Sequence, residues 1–190
     1  MKILVACIGN IFHGDDGFGV EVARRFVGRS LPPDVTVKDF GIRSFDLAYA
    51  LMDPHDFVVL VDACSRGGEP GSIYVIDPEP VDASTAAPAV EGHSMNPVSV
   101  LRMVASFGAT PPPMVIVGCE PQDLGSLEEG KLGLTEVVMS AVDEAVQVIE
   151  NIVEKVNALQ FPLNKGELWS TSTVKIPKPG TRCSSLEEQP

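Results

Sequence analysis

Four residues of this 190-residue chain have types and settings that suit metal or proton chemistry: Asp15, Asp16, Asp62 and His93. Asp15 and Asp16 stand in the turn-rich segment GNIFHGDDGFG, just after the apolar run KILVACI (2–8). Asp62 closes a second apolar run, FVVLVDA (57–63). A carboxylate ending so apolar a strand carries a desolvation cost unless it is paired or binds a cation. His93 precedes Asn96-Pro97, which reads as a helix start with Asn as N-cap and Pro in the first turn. Each group also has a plainer role open to it. Asp15 or Asp16 can cap the helix that follows, Asp62 can accept loop N–H groups, and a loop His is usually just solvated. On one edge of a sheet, Asp16, Asp62 and His93 make a one-nitrogen, two-carboxylate metal site. The alternative set is His13 and His93 with Asp16.

Other candidates are set aside. His55 precedes the strand that Asp62 ends, which puts the two ~20 Å apart at opposite edges. GSLEEGKL (125–132) matches the core of a phosphate loop. It ends in Leu where Ser or Thr belongs, and it places two Glu inside the would-be anion cradle. The glycines at 9, 14, 17 and 19 do not have dinucleotide-fingerprint spacing, and neither G-x-S-x-G nor H-E-x-x-H occurs. Cys7, Cys64 and Cys119 end apolar strands and read as small buried hydrophobes rather than reactive thiols.

The elements that must hold these groups alternate in type. Strands are predicted over 2–8, 35–40, 57–63, 72–77 and 114–119, and helices over 16–28, 44–52, 96–107 and 135–159. Phe18, Val22 and Phe26, broadened by Ala23 and Val27, form the first helix's apolar face, with Glu21, Arg24, Arg25 and Arg29 on the solvated side. The last helix turns Val138, Ala141, Val142, Ala145, Ile149, Ile152 and Val156 inward. The link before 72–77 is too short for a crossover helix, which predicts an antiparallel neighbour there. Residues 78–93 are polar and Pro/Ala-rich, a loop or lid. The fold class is α/β, a mostly parallel sheet with helices on both faces, and its functional groups belong beyond the carboxyl ends of the strands.

Composition narrows the partners. The net charge is −12, so nucleic acid and anionic membrane surfaces are disfavoured, and no apolar run is long enough to span a bilayer. Four Cys without paired C-x-x-C spacing fit a reducing cytoplasm and neither a zinc ribbon nor a disulfide framework. One domain is expected over 1–159, with 160–190 an appended disordered tail in which Trp169 is the candidate for docking.

Five segments carry a resemblance. GNIFHGDDGFGVEVA, DFGIRSFDLAYAL, VLVDACSRGGEPGSIYVI, GHSMNPVSVLRM and VIVGCEPQDLGSL resemble, in that order, segments of the hydrogenase maturation endopeptidases. The likeness covers about residues 1–158. It implies a three-layer α/β/α sandwich with a twisted, mostly parallel five-stranded sheet. It also implies removal of a short C-terminal peptide, just beyond a Cys-x-x-Cys-x-x-His/Arg motif, from a nickel-loaded large-subunit precursor of a nickel-iron hydrogenase. By the same resemblance Asp16, Asp62 and His93 contact the metal and carry catalysis, and Gly41 lies where the precursor binds. The implied metal is nickel brought by the precursor, with zinc or another divalent ion as the other choice. Apart from the resemblance, the cysteine usage sets the expectation of a cytoplasmic protein, and a monomer is expected. The metal either activates water or serves recognition while a carboxylate acts as general base, and recognition is the preferred reading. Two readings from other classes are a non-catalytic nickel or cobalt carrier and a nucleotide switch built on GSLEEGKL.

Overall fold

Apolar runs over 3–8, 57–63 and 114–119, buried on both faces, form the centre of one five-stranded sheet in the computed structural model, which describes residues 1–78, 97–126 and 128–158. The strands are β1 (Ile3–Ile8), β2 (Val35–Gly41), β3 (Phe57–Ala63), β4 (Ile73–Ile76) and β5 (Met114–Cys119), in spatial order β2-β1-β3-β5-β4. The first four in that order run parallel, so β1, β2, β3 and β5 all end at one edge. β4 is antiparallel, as its short link requires, but its partner is β5, which stands between it and β3.

Alternate residues of each strand serve opposite layers. Ile3, Val5 and Cys7 of β1 pack with α1 (Phe18–Phe26) and α4 (Glu136–Ala158). Leu4, Ala6 and Ile8 pack with α2 (Ser44–Met52) and α3 (Pro97–Ser106). The result is the expected α/β/α sandwich. All seven residues assigned to the inner face of α4 are buried, as are Phe18, Val22 and Phe26 of α1. Each such Val, Ile or Phe side chain is worth about 1.5–3 kcal/mol when fully buried.

Two sequence expectations for the first helix are corrected. Residues 14–17 form a separate 3-10 turn, and α1 starts only at Phe18. Val27 does not broaden the buried face but is 82% exposed. The chain leaves the helix at Val27 with extended backbone, so the 100° rotation per residue no longer applies to it. The polar side of α1 has a task as well: Arg25 pairs with Asp143 and Arg29 with Glu150, joining α1 to α4. The exposed side of α2 presents Phe45 and Tyr49, with exposed Ile42 just before the helix, and Tyr49 stacks on Phe107. Among the described residues no helix is long and apolar enough to cross a membrane. The expected lid beyond Pro78, the N-cap Asn96, and the tail with Trp169 lie outside the described residues.

Candidate active site

At the carboxyl edge, β1 gives way at Gly9 to a turn that doubles back on itself. Gly9 has φ +145°, and a side chain there would run into the main-chain carbonyl of Asp16. The tightness of this turn brings the Asp16 side chain over the strand end, where its Oδ2 accepts the Asn10 N–H at 2.9 Å. Asp16 is partly buried, and that burial raises its carboxyl above the ordinary range, against the opposing pull of the Asn10 bond and of nearby His13. β3 lies beside β1 with Val61 in register with Cys7, so its next residue, Asp62, emerges at the same edge. Asp62 is 6% exposed, and its Oδ1 accepts the N–H of the next residue, Ala63, at 2.9 Å. Gly41 is the last residue of β2, opposite Ile8. Its backbone is left-handed at φ +52°, and its carbonyl accepts the Gly9 N–H at 3.1 Å. Gly41, the Asp16 turn and Asp62 therefore share one edge, while His55 precedes β3 at the other.

Asp15 behaves differently from its neighbour. It is 0% exposed and accepts hydrogen bonds from Gln122, Asp123 and Thr135. Neither Asp15 nor Asp16 caps α1, whose N-terminus has no side-chain cap. His13 is paired through its backbone with Lys131. His93 lies outside the described residues, and among the described residues no group of three His, Cys, Asp or Glu is placed to hold a metal ion.

Sequence reasoning missed Glu120. It follows β5 directly and is 5% exposed. Its carboxylate accepts the N–H groups of Arg66 and Gly67 and the Tyr74 hydroxyl at 2.8 Å, so it braces the turn that follows Asp62. Burial, with Glu120 adding to it, pushes the Tyr74 phenol up to about 12. The desolvation argument made for Asp62 applies equally to a carboxylate after MVIVGC, so the signal was present.

The phosphate-loop match is a brace instead. Lys131 holds Asp123 at 2.6 Å through its ammonium, and its backbone bonds to Phe12 and Gly14 of the first loop. Cys7, Cys64 and Cys119 are buried, as expected. Burial raises the Cys7 thiol far above its usual value and that of Cys119 to about 12, with the Asp15 and Glu120 carboxylates adding to the latter.

The family model of the hydrogenase maturation proteases, HycI, matches residues 20–152. The chain belongs to that family. The protease is 32% identical over 155 residues to the hydrogenase expression/formation protein HupD of Rhizobium leguminosarum bv. viciae, covering 79% of this chain and 75% of that one. A putative hydrogenase maturation protease of Methanocaldococcus jannaschii is 31% identical over 157 residues, 80% of this chain and 97% of that one. Among solved structures, the [NiFe] hydrogenase maturation protease HycI from Thermococcus kodakarensis is 31% identical with TM-score 0.55, covering 80% of this chain and 92% of that one. The maturating endopeptidase HybD from E. coli, at 24% identity, shares the fold with TM-score 0.65 over 82% of this chain and 94% of that one. The activity of the protease is thus hydrolysis of a peptide bond.

Proposed function

We propose that this protease removes the C-terminal peptide of a [NiFe] hydrogenase large-subunit precursor after nickel has been inserted, using Asp16, Asp62 and His93 at the metal. The observation that carries this reading is the pair of carboxylates, Asp16 and Asp62, delivered to one edge by the adjacent parallel strands β1 and β3. Two carboxylates and an imidazole are too few to close a divalent coordination sphere. Such a set is suited to reach a metal already held by substrate thiolates, so nickel arrives as part of the substrate. Zinc or another divalent ion is the other occupant this donor set takes.

The metal serves recognition, and chemistry of the aspartyl type falls to a carboxyl. Burial makes Asp16 more basic than an ordinary carboxylate, which suits it to take a proton from attacking water and return it to the leaving amine. Gly41 offers a left-handed main chain without a side chain beside this site, and exposed Ile42 and Phe45 adjoin it. These features fit a precursor segment laid along the edge. Among the described residues three free, buried cysteines fit a reducing cytoplasm, and the protein acts there as a monomer.

The test mixes the protein with nickel-loaded and nickel-free precursor and follows C-terminal mass loss. Loss from the loaded form alone is expected. Equal cleavage of both forms refutes nickel recognition. No cleavage, combined with tight nickel uptake by the isolated protein, makes it a non-catalytic nickel carrier.

A further inference from the structure

Asp15 is fully buried next to Asp16, yet the chemistry above does not use it. Its Oδ2 accepts the N–H groups of Gln122 and Asp123, each at 2.8 Å, and the Thr135 hydroxyl at 3.1 Å. Its Oδ1 accepts the Thr135 N–H at 2.7 Å. All four donors belong to the segment between β5 and α4. Main-chain bonds run alongside: Asp15 N–H to Asp123 at 3.0 Å, Gly14 N–H to Lys131 at 2.7 Å, and Lys131 N–H to Phe12 at 2.8 Å. Gly14 is left-handed at φ +56°, and a side chain there would run into the Asp123 carbonyl. The two segments are therefore in backbone contact. Hydrogen bonds to an ionised acceptor are roughly twice as strong as neutral ones, and the N-terminal end of α4 favours a negative charge.

We propose that Asp15 is a positioning residue: its carboxylate clamps the 3-10 turn onto the β5–α4 segment and thereby sets where Asp16 presents its own carboxylate. This role rests on Asp16 being the reacting group proposed above. A reacting side chain must be held to within about 0.5 Å, and one carried on a loop reaches that precision only if the loop is tied down. The four bonds to Asp15 are the tie, and the Asn10 N–H on Asp16 is the next link inward.

Asp15→Asn keeps the shape and removes an acceptor. Either orientation of the amide turns its NH2 toward a main-chain N–H, Thr135 on one side or Gln122 and Asp123 on the other. The full-length variant and wild type are compared on nickel-loaded precursor, and their amide exchange is followed residue by residue. The kcat should fall about 10²-fold, the usual effect of a displacement near 1 Å, with KM within about twofold of wild type. Exchange should accelerate at Asn10 as well as at Thr135. Ile149→Val, a core change on α4, should lower the melting temperature and leave kcat unaltered, which separates positioning from stability. A wild-type kcat in Asp15→Asn overturns the proposal. So does unchanged protection of Asn10 while Gln122, Asp123 and Thr135 lose theirs, because Asp15 would then only tie loops together. If Asp15→Asn does not fold, Thr135→Val removes one donor. It should cost about fivefold in kcat, the equivalent of one ordinary hydrogen bond, and a wild-type kcat there counts against the proposal. Should wild type leave loaded precursor uncut, the proposed function fails, and the exchange data alone decide the role of Asp15.

Discussion

A Cβ built on Gly19 would stand 2.5 Å from the carbonyl oxygen of Val61. It would also come within 2.9 Å of the Ile8 amide nitrogen, and closer still to the Ile8 carbonyl. The first turn of α1 thus rests directly on the ends of β1 and β3. Gly19 lies three residues after Asp16, and Val61 one before Asp62, so this backbone contact holds the segments that carry the two candidate carboxylates against each other. Gly19→Ala should therefore cost about 3 kcal/mol, the upper end of ordinary overpacking, because the obstacles are main-chain atoms that cannot swing aside. Urea unfolding measures this, and a cost below about 1 kcal/mol would show that α1 can lift off without penalty.

Asp16→Asn and Asp62→Asn should each reduce cleavage of nickel-loaded precursor by more than about 10²-fold, since loss of a mere outer-shell partner costs 10–100-fold. His93→Gln should do the same. Their stabilities should move differently. Burial raises the Asp16 carboxyl, so the folded state holds its proton more tightly than the unfolded chain. Stability from this group is present at acid pH and is lost as pH rises through the raised value. Asp16→Asn removes that loss and should leave the melting temperature at neutral pH unchanged or higher. Near-normal cleavage by two of the three variants would refute the site assignment.

Tyr74 offers a pH test away from the cleavage assay. Its phenol is raised to about 12 by burial and by Glu120. The contribution of Tyr74 to stability is full below its ordinary value of 10.0 and is lost as pH climbs through about 12. Phenolate absorbance should show a late step belonging to Tyr74, one of two tyrosines in the chain. Tyr74→Phe should abolish that step, and Glu120→Gln should move it to lower pH. An unmoved step in Glu120→Gln would mean the hydroxyl has another anchor.

Nickel should bind the isolated protein weakly. The proposed set has one nitrogen, two carboxylates and no thiolate, a modest combination for a divalent transition metal. Calorimetry should give a Kd above about 1 µM, equivalent to less than about 8 kcal/mol of binding free energy. Stoichiometric nanomolar uptake would favour the carrier reading instead.

The sequence by itself determined the strands and helices to within about two residues at each end, the first helix being the least exact. Runs such as FVVLVDA bury both faces, and the α4 periodicity sorts its residues by side, both of which are local properties. It also marked Asp62, because a carboxylate ending an apolar strand stands out wherever that strand lies in the sheet. The five ordered segments pointed to the family for the same reason: each is contiguous. The tertiary structure alone decided which distant segments meet. Nothing in residues 72–77 says that β5 inserts between β4 and β3. The donors that hold Asp15 lie 107 to 120 residues away, and those that Glu120 gathers lie 46 to 54 away. Periodicity records only which side of an element faces the core. A buried carboxylate needs specific donors at hydrogen-bond distance, and the path of the whole chain sets where those donors are.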